Sequence, residues 1–157
     1  MEKSVVEWIE YLSKKRSELN GWSICPFAKK ALMDKKIFWT SIAYEPEEFI
    51  SRYMESFTGE YEVIIFFNLS KNLTNEDCTS IVRSLNKTFK DTVFLKDHPT
   101  EPGYINDVST GNGEYPIILA QPKSRLLDAR GTLTKTNYYD SWSDEYKNEI
   151  WSYGDES

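Results

Sequence analysis

The amino-acid sequence predicts one α/β domain over residues 1–157, with an α+β arrangement as the alternative. Segments with apolar residues at helical spacing alternate with short segments rich in β-branched and aromatic residues, a pattern typical of helices packed on a sheet. Val63 to Phe67 is continuously apolar, as expected for a strand that is covered on both faces. A chain of 157 residues is long enough to bury one core. We therefore predict a four-stranded mixed sheet with helices packed on it.

Four segments have the composition and the length of strands. The last of them begins with Tyr115 and Pro116, and a proline is tolerated at the start of a strand because its missing N–H is not needed there. The predicted strands span residues 37–44, 62–68, 92–97 and 115–121. Loop 99–114, before the last strand, is rich in Gly, Pro, Asn and Asp, and long loops of this kind in compact domains are often functional.

Two helices are predicted before the first strand. Ser4 and Glu7 have the spacing of a capping box, and the helix that they begin is expected to end at Asn20 and Gly21. A second, short helix is expected over residues 27–35, because a proline suits the first turn of a helix.

Later helices are predicted to begin at Pro46 and after Thr74, and Ser124 is expected to cap a last helical region that Gly131 interrupts. Segment 132–153 is predicted to be an aromatic helix. Large side chains recur in it three or four residues apart and form one stripe, which either covers the domain itself or binds a partner. These residues are Tyr138, Trp142, Tyr146, Ile150 and Tyr153.

Composition limits the classes of function. The net charge of −6, with basic residues scattered among acidic ones, disfavours nucleic-acid binding. No apolar run approaches the roughly 18 residues of a membrane span, and the N-terminal residues do not form a signal peptide. One histidine and two cysteines predict no zinc site. We therefore expect a cytoplasmic protein that acts on an unknown small molecule or a protein partner; the sequence identifies no cofactor.

Cys25 is a candidate catalytic thiol. It precedes the short helix, where backbone N–H groups and the positive end of the helix dipole favour a thiolate. Lys29 and Lys30 follow within one turn. The alternative is a small buried residue that shapes the start of the helix, because free cysteine is among the most buried residue types. Cys78 lies on the apolar stripe of another helix and is expected in the core.

His98 is the second candidate catalytic residue. It follows a strand and precedes loop 99–114, and functional residues often lie where a strand ends. Together with Cys25 it would suit nucleophilic or redox thiol chemistry. The alternative is a loop histidine that binds backbone groups. Asp97 precedes it, but neighbouring side chains on a strand point to opposite faces.

Three residues are candidates for binding a substrate, namely Tyr104, Asn106 and Pro116. The first two lie in loop 99–114. The glycines of that loop do not form a dinucleotide or P-loop motif, so exposed turns are the alternative interpretation.

Three short motifs resemble a family of small bacterial proteins known only as a domain of unknown function. The motifs are Ile24-Cys25-Pro26-Phe27-Ala28, His98-Pro99 after a late strand, and Tyr115-Pro116 before an apolar segment. That family has a similar Leu-Cys-Pro-Phe-Ala near its start. The resemblance covers residues 5–129, and loop 99–114 and the aromatic segment depart from it. It implies a related fold and singles out Cys25, His98 and Pro116, without implying a reaction.

The start of the short helix is also similar to a glutaredoxin site, with Ala28 where a second cysteine would stand. The segment from Tyr115 to Leu119 is similar to the proline-led strand that faces the cysteine in that fold. Two functional hypotheses follow. The first is thiol chemistry at Cys25 assisted by His98, with loop 99–114 covering the substrate. The second is a non-catalytic protein-binding module that uses this loop and the aromatic segment.

Overall fold

The structure is a computed structural model that describes residues 2–152. The α-helices are α1 (Glu2–Ser13), α2 (Ala28–Met33), α3 (Pro46–Ser56), α4 (Asn75–Thr88), α5 (Lys123–Thr134) and α6 (Asp144–Ser152). The strands are β1 (Ile37–Ser41), β2 (Val63–Phe67), β3 (Thr92–Asp97), β4 (Tyr104–Ile105), β5 (Val108–Ser109) and β6 (Ile117–Pro122). Short 3-10 helices span Ser17–Leu19 and Tyr138–Ser141. None of the helices in residues 2–152 has the length and apolarity to cross a membrane.

The predicted four-stranded mixed sheet is confirmed. Its strands lie in the order β1-β2-β6-β3. β1 and β2 pair in parallel, whereas β6 is antiparallel to both of its neighbours. β2 therefore lies inside the sheet, and Ile64, Ile65 and Phe66 are almost completely buried. This position explains why the strand is apolar along its whole length.

Helices cover both faces of the sheet. On the first face, α1 and α2 pack with Ile37, Ile65 and Phe67 around one apolar cluster. On the second face, α3 and α4 pack with Ile64 and Phe66 around another. The side chains of β2 thus alternate between the two clusters, as the geometry of a strand requires.

The helix predicted after Thr74 is confirmed together with its cap. The Thr74 hydroxyl accepts a hydrogen bond from the N–H of Asp77 at 3.0 Å, and the Asp77 carboxylate accepts one from the N–H of Thr74 at 2.9 Å. This reciprocal pair is a capping box that begins α4. α3 begins at Pro46, also as predicted.

The first helix differs from the prediction at both ends. α1 begins at Glu2, so Ser4 lies inside it, and α1 ends at Ser13. The chain then closes a tight loop in which Arg16 exchanges backbone hydrogen bonds with Gly21 and Trp22. Asn20 and Gly21 both have positive φ angles, 56° and 83°. They form the expected turn, but at the end of this loop and not at the end of α1.

Two expectations for the C-terminal part were wrong. α5 runs through Gly131 without interruption, and it begins after Pro122 with Ser124 inside it. The aromatic segment is not one helix, because Trp142 has an extended backbone between the 3-10 helix and α6. Tyr153 lies outside the described residues.

Candidate functional site

A groove with a volume of about 930 Å³ crosses the first face of the sheet. Side chains of all four sheet strands form its floor, among them Ile37, Ile65 and Leu119. One wall consists of α1, α2 and the segment between them. The opposite wall consists of residues 101–105 and the aromatic segment, and α5 also contributes. Ligand pockets are typically about 300–1,000 Å³, so this groove is large enough for a small molecule.

The aromatic wall connects the C-terminal part of the chain to the rest of the domain. Tyr138 is 6% exposed, and its hydroxyl donates a hydrogen bond to the backbone carbonyl of Ile24. Trp142 and Tyr146 pack against the cluster of the first face and against each other, with ring centroids 5.1 Å apart. Of the two alternatives that the sequence leaves open for the aromatic segment, these three side chains pack on their own domain. The same side chains line the groove.

Cys25 also lines the groove, next to Ile24, whose carbonyl binds Tyr138 of the aromatic segment. The N–H of Cys25 donates to the carbonyl of Leu12 in α1 at 2.9 Å, which fixes the position of the thiol. The residue keeps partial exposure, whereas Cys78 is fully buried in the cluster of the second face. The two cysteines therefore lie on opposite sides of the sheet.

Two opposing effects act on the Cys25 thiol. Burial among protein atoms raises its pKa, because a thiolate loses its hydration there. The backbone N–H groups of Phe27 and Ala28 lower the pKa, as expected for a cysteine at the start of a helix. Burial is the stronger effect, so the pKa is above its ordinary value. The position of Cys25 at the start of α2 was predicted correctly, but this direction is opposite to the one that the thiol hypothesis needs.

His98 is 7% exposed, and both of its ring nitrogens make hydrogen bonds. Nε2 donates to the backbone carbonyl of Leu73 at 2.7 Å, because a carbonyl can only accept. Nδ1 accepts from the N–H of Thr100 at 3.2 Å. Leu73 belongs to the cluster of the second face, and His98 is not among the residues that line the groove. The structure therefore does not bring His98 and Cys25 together.

Asp97, one position earlier on β3, faces the groove. It is 9% exposed, and its Oδ2 accepts hydrogen bonds from the backbone N–H and the side-chain amide of Asn112, at 3.0 and 2.8 Å. Burial raises the pKa of this carboxyl, although the Asn112 bonds and the electrostatic influence of the neighbouring His98 and Lys96 oppose the shift. Asp97 is the one charged side chain among the buried lining residues in the described part of the chain.

The three candidate substrate-binding residues lie in different environments. Tyr104 is 55% exposed and lines the groove. Asn106 does not line the groove, and its side-chain amide donates to the carbonyl of Glu18 at 2.7 Å. Pro116 is buried, and its carbonyl accepts from the N–H of Asn68. Of the three, the structure places only Tyr104 in the groove.

Loop 99–114 is more regular than predicted. β4 and β5 form a two-residue hairpin with Asn106 and Asp107 at its tip, both with positive φ angles. Such angles are typical of the tight hairpin turn that matches the twist of its strands. Ile105 and Val108 anchor the hairpin in the first cluster. The loop is therefore a fixed wall of the groove.

Within residues 2–152, no group of three or more His, Cys, Asp or Glu side chains is arranged to hold a metal ion. Two features bear on the similarity to a glutaredoxin site. The segment before Cys25, residues 22–24, is not a strand, and β1, β2 and β3 precede Pro116. Searches with this chain against protein-family models, curated proteins and solved structures gave no match. A functional assignment must therefore come from the geometry of the groove.

Sequence reasoning missed Asp97 as a groove residue, although a signal was present. Leu95 and Asp97 are two positions apart on β3 and therefore share a face. A carboxylate on the strand face that is buried in the domain is unusual, because burying a charge costs free energy. The groove itself had no local signal, since its walls come from distant parts of the chain.

Proposed function

We propose that this protein is a binding protein that holds a small, largely apolar molecule in the groove on the first face of the sheet. The observation that carries the proposal is the groove itself. It is lined mainly by aromatic and aliphatic side chains, with one buried carboxylate among them. Such a concave apolar site with few polar groups is the usual form of a ligand site.

The groove is also lined by both segments that the protein-binding hypothesis names, loop 99–114 and the aromatic segment. Loop 99–114 contributes Tyr104, and the aromatic segment contributes Tyr138, Trp142 and Trp151. The indole N–H of Trp151 is buried and has no hydrogen-bond partner among the described residues. Buried donors normally have a partner, so an acceptor on a bound molecule would satisfy it.

A small molecule fits this site better than a protein partner does. The groove is concave and is lined by side chains of four α-helices, one 3-10 helix and all four sheet strands, whereas surfaces that bind proteins are usually flatter and larger. A protein partner remains the alternative that the sequence predicts for the loop and the aromatic segment.

Thiol chemistry at Cys25 has less support. Burial raises the pKa of Cys25, so less of it is thiolate at neutral pH. His98 uses both ring nitrogens in hydrogen bonds on the other face of the sheet. The partial exposure of Cys25 within the groove makes it useful as a reporter of occupancy.

Binding is tested with 1-naphthylmethanol, a neutral molecule with a flat apolar body. Trp8, Trp142 and Trp151 line the groove, so a bound naphthalene ring should change the tryptophan fluorescence of the protein in a saturable way. The same probe should slow the alkylation of Cys25 by N-ethylmaleimide, because both compete for the groove. An absence of saturable binding to the full chain would overturn the proposal.

Two exposed tyrosines provide matched variants. Tyr104→Ala should weaken binding of 1-naphthylmethanol by roughly two- to tenfold, the range expected for one lost aromatic contact. Tyr44→Ala removes a tyrosine that is similarly exposed, at 49% against 55%, but that does not line the groove. Equal losses in the two variants would show that the probe binds elsewhere.

The cytoplasmic location expected from the sequence is also part of this proposal. Cys25 and Cys78 lie on opposite sides of the sheet and cannot form a disulfide with each other. Free thiols are typical of reducing compartments. Fractionation of the source cells tests this, and recovery of the protein in a secreted fraction would contradict it.

A further inference from the structure

Asp97 lies buried in the groove and forms no ion pair with the described residues. The residue is nine-tenths buried, and both of its hydrogen bonds come from Asn112 and end on Oδ2. A buried carboxylate without a cationic partner is costly, so it is a candidate for a functional role.

The surroundings leave little space on the protein side of this carboxylate. A Cβ atom at Gly111 would lie 2.7 Å from Asp97 Oδ1, so this position accommodates only glycine without a shift. Tyr146 also lines the groove; its phenol interacts electrostatically with Asp97, and its hydroxyl lies 3.5 Å from the Thr110 hydroxyl. Asp97 therefore lies at a polar spot on an otherwise apolar and aromatic surface.

Three of the five basic residues that line the groove are paired with carboxylates; of the other two, Lys96 donates to Asn75 Oδ1 at 2.9 Å and the Arg130 guanidinium lies over the Trp151 ring. Lys30 pairs with Asp34 at 2.5 Å, and Lys36 pairs with Glu60 at 3.0 Å. Arg125 pairs with Glu62. The positive charges of these three rim residues are thus already compensated by neighbouring carboxylates. An anionic ligand that reached the interior would meet the Asp97 carboxylate.

Aromatic rings near Asp97 would favour a cation. The faces of tyrosine and tryptophan rings attract positive charge, most strongly when the charge has lost its hydration. The aromatic segment already contains such contacts, since Lys147 Nζ lies 4.4 Å from the ring centroid of Trp151 and 5.3 Å from that of Tyr139. A ligand ammonium between Asp97 and Tyr146 would have a carboxylate on one side and an aromatic ring on the other.

We propose that Asp97 makes the groove selective for molecules that carry an ammonium group on an apolar or aromatic body. This inference rests on the proposed function, because it names the ligand class of the same groove. The carboxylate accepts a hydrogen bond from the ammonium, and the apolar body of the ligand occupies the space between the sheet floor and the aromatic wall. The hydrophobic part supplies affinity, and Asp97 supplies the preference for positive charge.

Three naphthalene probes with the same body test the proposal on the full chain. They are 1-naphthylmethylamine, which is cationic at neutral pH, the neutral 1-naphthylmethanol, and the anionic 1-naphthylacetate. The amine should bind at least about tenfold more tightly than the alcohol, the factor typical of a hydrogen bond to a charged group. The carboxylate should bind more weakly than the alcohol, because Asp97 repels it.

Asp97→Asn keeps the shape of the side chain and removes its charge. In this variant the preference for the amine over the alcohol should disappear. Asp128→Asn is the matched control, because Asp128 lines the groove but is exposed. It should keep the full preference.

The outcomes separate the two proposals. If none of the three probes binds, the proposed function fails. If the alcohol binds but the amine binds no more tightly, only the role of Asp97 fails. A preference that persists in Asp97→Asn, or that disappears in Asp128→Asn, would also overturn the proposed role of Asp97. Should Asp97→Asn not fold, the order of the three affinities in the unaltered protein decides the question.

Discussion

At Cys25, two opposing effects act on the sulfur atom. Helix N–H groups stabilise the thiolate, and burial destabilises it. Burial dominates because Cys25 packs against the apolar cluster of the first face and keeps only partial exposure. The start of a helix is therefore not sufficient to activate a cysteine when the rest of its surroundings is apolar.

The reactivity of Cys25 measures this balance directly. We expect the midpoint of iodoacetamide labelling against pH to lie above the ordinary cysteine value of about 8.5, because burial raises the pKa. Peptide mass spectrometry distinguishes Cys25 from Cys78, whose pKa is raised to about 11 and which should stay unlabelled in the folded protein. His98→Ala should leave the Cys25 midpoint unchanged. A midpoint well below 8.5 that rises in His98→Ala would instead support the thiol hypothesis.

Asp97 should make stability depend on pH in an unusual direction. Its pKa is raised in the folded protein, so between the unfolded value of about 3.9 and the folded value the folded state binds more protons. Its contribution to the free energy of unfolding therefore decreases as pH rises through this window. Lys96, His98 and Tyr146 also interact electrostatically with Asp97.

Urea unfolding of the unaltered protein and of Asp97→Asn, at about pH 3 and about pH 7, isolates this contribution. The unaltered protein should lose stability relative to Asp97→Asn as the pH rises. A relative gain would mean that the folded protein favours the charged carboxylate, and that burial is not the dominant effect.

For individual residues, the sequence could predict positions on helices and strands but not their hydrogen-bond partners. The position of Cys25 before α2 and the opposite directions of Asp97 and His98 followed from local rules of helix and strand geometry. The partners of these residues did not follow, because they depend on the folded chain. His98 binds a carbonyl 25 residues earlier, and Asp97 binds an asparagine 15 residues later. No periodicity contains that information.

At the scale of elements, the best predicted parts have signals within a few residues. β2 was identified by its apolar run, and α4 by its capping box. The extent of α1 and the course of the aromatic segment were predicted wrongly. In both places tertiary contacts decide the local conformation, the closure of the Arg16 loop in one and the packing of Tyr138 and Trp142 in the other.

Gly131 offers a simple test at this scale. The residue lies inside α5, and a Cβ atom there would meet nothing within 4 Å. Gly131→Ala should therefore increase the free energy of unfolding by about 0.5–1 kcal/mol, because glycine loses more backbone freedom in a helix than alanine does. A decrease in stability would indicate that the chain bends at this position, as the sequence had suggested.

Gly103→Ala is the contrasting variant for the same thermal or urea measurement. A Cβ atom at Gly103 would overlap the phenol ring of Tyr146. This variant should be destabilised, and it should also disturb the groove, because the Tyr146 ring has to move.

At the scale of the whole molecule, the aromatic wall depends on a few connections between distant parts of the chain. The Tyr138 hydroxyl binds the carbonyl of Ile24, and the indole N–H of Trp22 binds the side chain of Asn137 at 2.8 Å. These contacts join the segment beside Cys25 to the start of the aromatic segment. The two walls of the groove are thus held at a fixed distance.

Tyr138→Phe should cost about 1–3 kcal/mol of stability, because it leaves the buried Ile24 carbonyl without this donor. Tyr139→Phe is the control, since the Tyr139 hydroxyl has no hydrogen-bond partner among residues 2–152. It should cost much less. If urea unfolding gives the same value for both variants, the hydroxyl of Tyr138 does not hold the wall.

The order of the sheet has a consequence for how the protein is made. β6, the last strand to leave the ribosome, is inserted between β2 and β3 and pairs with both. Until residues 117–122 emerge, one edge of β2 is open and β3 has no neighbour in the sheet. A nascent chain therefore presents unpaired, apolar strand edges until most of its length has been synthesised. Protection of these edges during translation, by a chaperone or by rapid completion of the chain, is a requirement that the topology imposes on the cell.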